Sequence, residues 1–128
     1  MIWKRNIYSI SIDVTSLEEE AKKDFDQEES IAFPKGGFLL DQYEIKSSSS
    51  LTAFELLEEA CLKEELALEY SGLGKTVYVK SIGGLGENLL GQSGWIYKVN
   101  DQMPNVGLGA YPLEDGDHLF MIYVRSLY

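Results

Sequence analysis

Between residues 7 and 14 apolar and polar side chains alternate, with Tyr8, Ile10, Ile12 and Val14 on one face and Ser9, Ser11 and Asp13 on the other. A period of two marks a half-buried strand. Residues 38–46 resume an extended pattern and are expected to pair back on the first strand. The period then changes. Thr52 as N-cap with Glu55 three residues on makes a capping box, and Leu51 with Leu56 supplies a hydrophobic staple. Phe54, Leu57 and Cys61 recur at spacings of three and four, flanked by Ala53 and Ala60, while Glu58, Glu59 and Lys63 occupy the opposite side. This predicts one main helix over about residues 53 to 64. Cys61 falls on its buried stripe and is expected to be a core residue, not a nucleophile, since nothing nearby lowers its pKa.

Further strands are expected at 66–70 and 76–82, before Gly83-Gly84-Leu85-Gly86 opens a loop that lasts until Trp95. In Trp95 to Val99 the bulky Trp95, Tyr97 and Val99 alternate with Ile96 and Lys98, as on a strand whose faces meet different surroundings. From Leu119 to Val124 both alternating sets are apolar, which predicts a strand covered on both sides or central in its sheet. The order of two strands, one helix and several strands gives an α+β fold with a sheet wrapped on a single helix. With 128 residues and no internal repeat or linker, the expectation is one domain spanning 1–128.

Charge matters here mainly through its location. The net charge is -10, but residues 16–29 hold seven acids and two bases, residues 55–69 hold six acids and one base, and the remainder balances. Ser16 with Glu19 suggests a capped helix in the first acidic segment, but its apolar side is thin, so it reads as an exposed excursion after the first strand. Without a basic patch, nucleic acid and anionic membranes are poor partners. No apolar run is long enough to span a membrane, so no direct insertion is expected. Met1-Ile2-Trp3-Lys4-Arg5-Asn6 has basic residues but no apolar stretch behind them. The chain therefore reads as cytosolic, or as one whose leader lies outside this sequence.

The chemistry-bearing residues are few. Gly72-Leu73-Gly74-Lys75-Thr76 imitates the end of a phosphate-binding loop, but Glu69 stands where the first Gly is needed and a strand follows where a helix should start. A single His118, beside Asp117 at a strand start, reads as an exposed neighbour pair and not as a catalytic dyad. Asp115-Gly116-Asp117 with Asn100 or Asp101 offers oxygens for Ca²⁺, yet the ligand series is incomplete and a tight turn explains the residues as well. One cysteine excludes an internal disulfide and a Cys-rich zinc site. No acid, base and nucleophile converge, so neither catalytic residues, nor a metal site, nor a cofactor is expected, and the chain does not read as an enzyme.

Several segments together resemble the transcobalamin-like C-terminal domain, a bacterial family of otherwise unknown function. Ser93-Gly94-Trp95-Ile96-Tyr97-Lys98-Val99-Asn100 is similar to its "SGWMYxVNG" strand and turn, and Leu113-Glu114-Asp115-Gly116-Asp117 to its "LxDGD" turn. Thr52-Ala53-Phe54-Glu55-Leu56-Leu57 resembles its "TVFDVL" helix start, and Val77-Tyr78-Val79-Lys80-Ser81-Ile82-Gly83-Gly84-Leu85 its "VYVxSIxGL" strand. The resemblance implies a β-grasp-like mixed sheet whose first and last strands lie side by side. It also implies a secreted or cell-surface bacterial protein. In the vertebrate vitamin B12 carriers the related domain closes over the corrin ring as a lid. The family's Asn-Gly turn is Asn100-Asp101 here, which asks a non-Gly residue for an altered turn.

The expected role is a non-enzymatic extracellular binding or interaction module. For a small ligand, with cobalamin the one the resemblance suggests, the surface comprises Gly84 and Gly86 of the Gly83 to Gly94 loop, Trp95 and Tyr97, with Asn100 and Tyr111 beside them. The alternative is a structural or protein-docking domain without a small-molecule ligand, and a third reading is metal binding by the acidic loop. Trp95, Tyr97, Tyr111 and Tyr123 discriminate: a wholly buried cluster favours the structural class, and aromatics exposed beside the Gly loop favour a ligand.

Overall fold

The alternation at the start of the chain becomes strand β1 (Asn6–Asp13), with Tyr8, Ile10, Ile12 and the following Val14 buried. The computed structural model describes residues 5–17 and 35–127, so the helix expected within 16–29 lies, beyond Leu17, outside the described residues. Thr15–Leu17 form a short 3-10 turn in which Leu17 is buried, and the Ser16 hydroxyl donates to the Tyr123 carbonyl at 2.6 Å. Strand β2 (Phe38–Ser47) runs antiparallel to β1, as expected.

The pairing of β1 and β2 slips at Ile10 to Ile12, where Gln42 takes φ 51°. The Gln42 N–H, outside the pair register, donates to Ser11 Oγ at 3.0 Å. That contact accounts in part for a serine buried at 1% exposure, because a buried hydroxyl must find partners.

Helix α1 (Ala53–Lys63) starts at the expected capping box: Thr52 Oγ1 accepts from the Glu55 N–H at 3.2 Å and Glu55 Oε1 from the Thr52 N–H at 2.8 Å. It buries Ala53, Phe54, Leu56, Leu57, Ala60 and Cys61 in one core with Tyr8, Ile10, Ile12 and Ile45 from the sheet. Each such large apolar side chain contributes roughly 1.5–3 kcal/mol. Burial pushes the Cys61 thiol up to about 11, in keeping with a core residue. The helix ends with the Leu66 N–H on the Cys61 carbonyl at 2.9 Å and the Glu65 N–H on the Leu62 carbonyl. This motif puts its central residue in left-handed backbone, and Glu65 sits there at φ 56° although glycine suits the position better.

The last strand, β7 (His118–Val124), lies parallel to β1 and antiparallel to β6 (Gly94–Val99), giving a four-stranded sheet of order β2-β1-β7-β6. The first and last strands are thus neighbours. Leu119, Met121 and Tyr123 on β7 are buried toward the core, and Phe120, Ile122 and Val124 are half-buried on the other face. Central position accounts for the doubly apolar pattern.

The first three strands after the helix form a second sheet of their own: β3 (Leu68–Ser71), β4 (Tyr78–Ile82) and β5 (Leu85–Gly86), in that order. Here the expected loop is corrected. Gly83 and Gly84, at φ 61° and 86°, close a two-residue hairpin between Ile82 and Leu85, which side chains would strain, so Leu85-Gly86 is a short strand and the loop begins only after it. Gly72-Leu73-Gly74-Lys75-Thr76 ends in a 3-10 turn at Gly74–Thr76 that leads into β4 without a helix. That turn packs against Leu108–Ala110, where a side chain on Gly109 would meet the Gly74 carbonyl oxygen at 2.0 Å. Among the described residues no helix is long and apolar enough to cross a membrane.

The two ends of α1 make opposite predictions. Thr52→Ala should cost about 1 kcal/mol, whereas Glu65→Gly, by relieving left-handed backbone, should stabilise by about 0.5 kcal/mol after the extra freedom of the unfolded chain is deducted. Urea unfolding midpoints read both, and a destabilised Glu65→Gly would contradict the geometry of this helix end.

Candidate functional site

On β6 the alternation seen in the sequence points Trp95, Tyr97 and Val99 to the core face, opposite Tyr123, Met121 and Leu119 of β7. Trp95 and Tyr123 meet edge to face, with ring centroids 5.0 Å apart at 72°. Both rings carry a polar atom that needs a partner when buried. The Trp95 indole N–H donates to the Leu85 carbonyl at 2.8 Å, and the Tyr123 hydroxyl to the Gly86 carbonyl at 2.6 Å. Side chains of the large sheet thereby hold backbone of the small one.

Ser93, fully buried, extends this contact. Its Oγ accepts from the Leu90 N–H at 2.8 Å and lies 2.9 Å from the Tyr123 hydroxyl oxygen. Because the Tyr123 proton goes to Gly86, Ser93 is the donor to Tyr123, and the loop at 87–93 is tied through one chain of hydrogen bonds. Burial raises the Tyr123 phenol, with the bond to Ser93 working the other way. Ser93 as a buried partner of Tyr123 was not evident from the sequence, where they stand 30 positions apart and only their opposite ends of a paired strand hint at contact.

The expected ligand residues do not converge on one place. Trp95 and Tyr97 line a cleft of about 190 Å³ between β4 and β6, whose other walls include Val77, Tyr78, Val79, Leu108 and Met121. Tyr97 is half-buried there, and its hydroxyl donates to the Val106 carbonyl. Burial, then the neighbouring Tyr111, raises its phenol. Gly84 is exposed at the β4–β5 hairpin, and the Gly86 carbonyl is held by Tyr123. Tyr111, half-buried, lies by the start of α1, its carbonyl accepting from the Ala53 N–H at 2.9 Å.

Asn100 lies at the far end of β6. It takes φ 56° and, with Asp101, closes the turn between Val99 and Gln102, so the residue before the missing Gly carries the left-handed backbone. Its amide Nδ2 donates to Asp117 Oδ1 at 3.0 Å, and its Oδ1 accepts from the His118 N–H at 3.0 Å. The acidic turn is similarly engaged. Asp115 Oδ1 accepts from the Ile7 N–H at 2.6 Å and Asp117 Oδ2 from the Glu114 N–H at 2.9 Å, while Gly116 takes φ 91°. Among the described residues no three His, Cys, Asp or Glu side chains group as metal ligands do.

His118 differs from its expected setting. It is half-buried and does not pair with Asp117; its Nδ1 meets Ser9 Oγ, and its Nε2 lies 2.9 Å from Ser11 Oγ. The parallel register puts Ser9 directly opposite His118, so the ring lies along β1 between two hydroxyls. Burial lowers its pKa, against a smaller upward pull from Asp41. A group less readily protonated when folded contributes stability that is complete above its unfolded pKa near 6.5 and is lost as pH falls below it. The sole imidazole should therefore titrate below 6.5 by NMR. From about pH 7 to about pH 5.5 the native chain should lose more stability than His118→Gln, and equal losses would contradict this.

The architecture has counterparts among solved structures. The crystal structure of haptocorrin in complex with Cbi matches 99% of this chain with a TM-score of 0.63 at 13% identity, and this chain corresponds to 27% of the haptocorrin chain. A protein from Ruminococcus gnavus ATCC 29149, named as a candidate metal-binding protein, matches over 93% of this chain and 96% of its own, with a TM-score of 0.53 at 11% identity. At these identities the likeness is one of fold. No curated protein matches the sequence. The family model described as a domain of unknown function, DUF4430, matches residues 50–125. The chain thus belongs to the DUF4430 family, a domain of unknown function whose transcobalamin-like character its motifs carry and its fold shares with part of haptocorrin.

Proposed function

We propose that this chain is a non-enzymatic binding module, one domain of a secreted or surface-attached bacterial protein, whose cleft between β4 and β6 takes one edge of a ligand. The observation that carries the reading is a cleft of about 190 Å³ with largely apolar walls between two sheets, one wall of it Trp95, whose indole N–H is fixed on the Leu85 carbonyl. Pockets that enclose a whole small molecule run to roughly 300–1,000 Å³. A cleft below that range receives part of a ligand and leaves the rest to a second protein or domain. The fold likeness to haptocorrin, of which this chain matches about a quarter, makes a corrinoid the first ligand to test.

A second reading, a protein-docking domain without a small-molecule ligand, is favoured by the burial of Trp95 at 8% and Tyr123 at 1% exposure, with the polar atom of each engaged internally. A titration with hydroxocobalamin, followed by Trp fluorescence and corrin absorbance, separates the two. The ligand reading predicts saturable binding weakened at least about tenfold by Tyr97→Ala. Tyr97 is half-buried, so this variant is more readily kept folded than one at Trp95. No binding up to about a millimolar, equivalent to roughly -4 kcal/mol, would remove the corrinoid reading and leave the docking one.

A further inference from the structure

Away from the cleft between the sheets, the outer side of α1 and strand β3 enclose an open groove of about 440 Å³. Cys61, Leu62, Leu66, Leu68 and Tyr70 give it an apolar lining, and Glu55, Glu58 and Glu59 of α1 an acidic one. A second hollow of about 290 Å³ shares Glu55, Glu58 and Tyr70 with the first and continues it to Leu73 and Gly74. Leu62 at 80% and Leu73 at 83% are the most exposed large apolar side chains among the described residues, and they mark the two ends of this path. Exposed apolar side chains at both ends of a continuous groove are the signature of a surface that a partner covers.

Charge selects the partner. Residues 55–69 hold six acids and one base, and that base, Lys63, sits 3.5 Å from Glu59 on its own helix. Glu55 is engaged in the helix cap, and the Glu58 carboxylate has, among the described residues, only the Tyr70 hydroxyl at 3.5 Å. A second copy of the chain would bring an identical acidic wall against this one and is disfavoured. A small cation alone would leave Leu62 and Leu73 in water. From Glu55 to Leu62 the helix runs roughly 10 Å, and the continuation to Leu73 lengthens the path, so a segment of several extended residues fits it.

We propose that this groove is a docking site for a basic amphipathic peptide segment of a partner protein, with apolar side chains over Leu62, Leu68 and Leu73 and a Lys or Arg against Glu58 and the ring of Tyr70. The carboxylate supplies an ionic contact and the exposed ring a cation–π face, while the leucines supply most of the apolar area.

The test uses a fluorescein-labelled peptide of alternating Lys and Leu, with the matching Glu and Leu peptide as control, read by anisotropy and by amide shifts in the 15N-labelled chain. The Lys/Leu peptide should saturate, shift the amides of residues 55–73, and bind about tenfold more weakly to Glu58→Lys and to Leu62→Ser. Both substitutions lie on exposed positions, and circular dichroism checks that the fold is kept. Equal affinity in the variants would reduce the effect to general attraction by an acidic chain and overturn the proposal. Equal binding of the Glu/Leu peptide, or no binding of either at about a millimolar, would do the same. Light scattering that finds a dimer abolished by Leu62→Ser would assign the groove to a second copy instead.

Discussion

Two hydrogen bonds from aromatic side chains to backbone decide how the halves of this molecule meet. Trp95 on β6 and Tyr123 on β7 donate to the carbonyls of Leu85 and Gly86 on β5, so the four-stranded sheet grips the three-stranded one by its shortest strand. A strand of two residues makes few ladder bonds of its own. Each buried ring needs a partner for its polar atom, and each β5 carbonyl needs a donor, so the contact settles both requirements at once. The 190 Å³ cleft lies beside this junction, lined by Val77 and Val79 from the one side, Trp95 and Tyr97 from the other, and Leu108 and Met121.

The residues that carry the family resemblance are largely those that knit the scaffold. Ser93 and Trp95 tie the loop and β5, Asn100 bridges to Asp117 and His118, Asp115 receives the first strand, and Thr52 and Glu55 cap the helix. A motif made of such residues transmits architecture. It says less about what the surface meets, which fits a fold that this chain shares with solved structures at identities of only 11–13%. Leu62, Glu58 and Leu73, which line the acidic groove, lie outside those bonds, as residues free to follow a partner would.

Local patterns were legible in the sequence wherever one residue's role depends on its near neighbours. The two-residue period of β1, the capping box of α1 and the apolar run of β7 all appear as expected, because burial of one face and satisfaction of helix-end donors are written within a few positions. The missing pieces are one local turn and several long-range contacts. The second sheet depends on Gly83 and Gly84 turning the chain within two residues. The setting of His118 depends on Ser9 and Ser11, more than 100 positions away, and on the parallel register that sets them opposite. The same holds for the candidate site: Trp95 and Tyr97 do line a cleft, but the alternation that identified them says nothing of the carbonyls that fix Trp95 or of the β4 wall that faces Tyr97.

The central claim is that the aromatic anchor, and not the loop's own structure, holds β5 and the segment to Ser93 in place. Amide hydrogen exchange in Tyr123→Phe tests it most directly, because the ring stays while the hydroxyl that joins Ser93 to Gly86 is removed. The account predicts that protection falls at Leu85 to Ser93, while β1 and β2 exchange as in the parent chain. Protection unchanged in that segment, or lost evenly across both sheets, would contradict it.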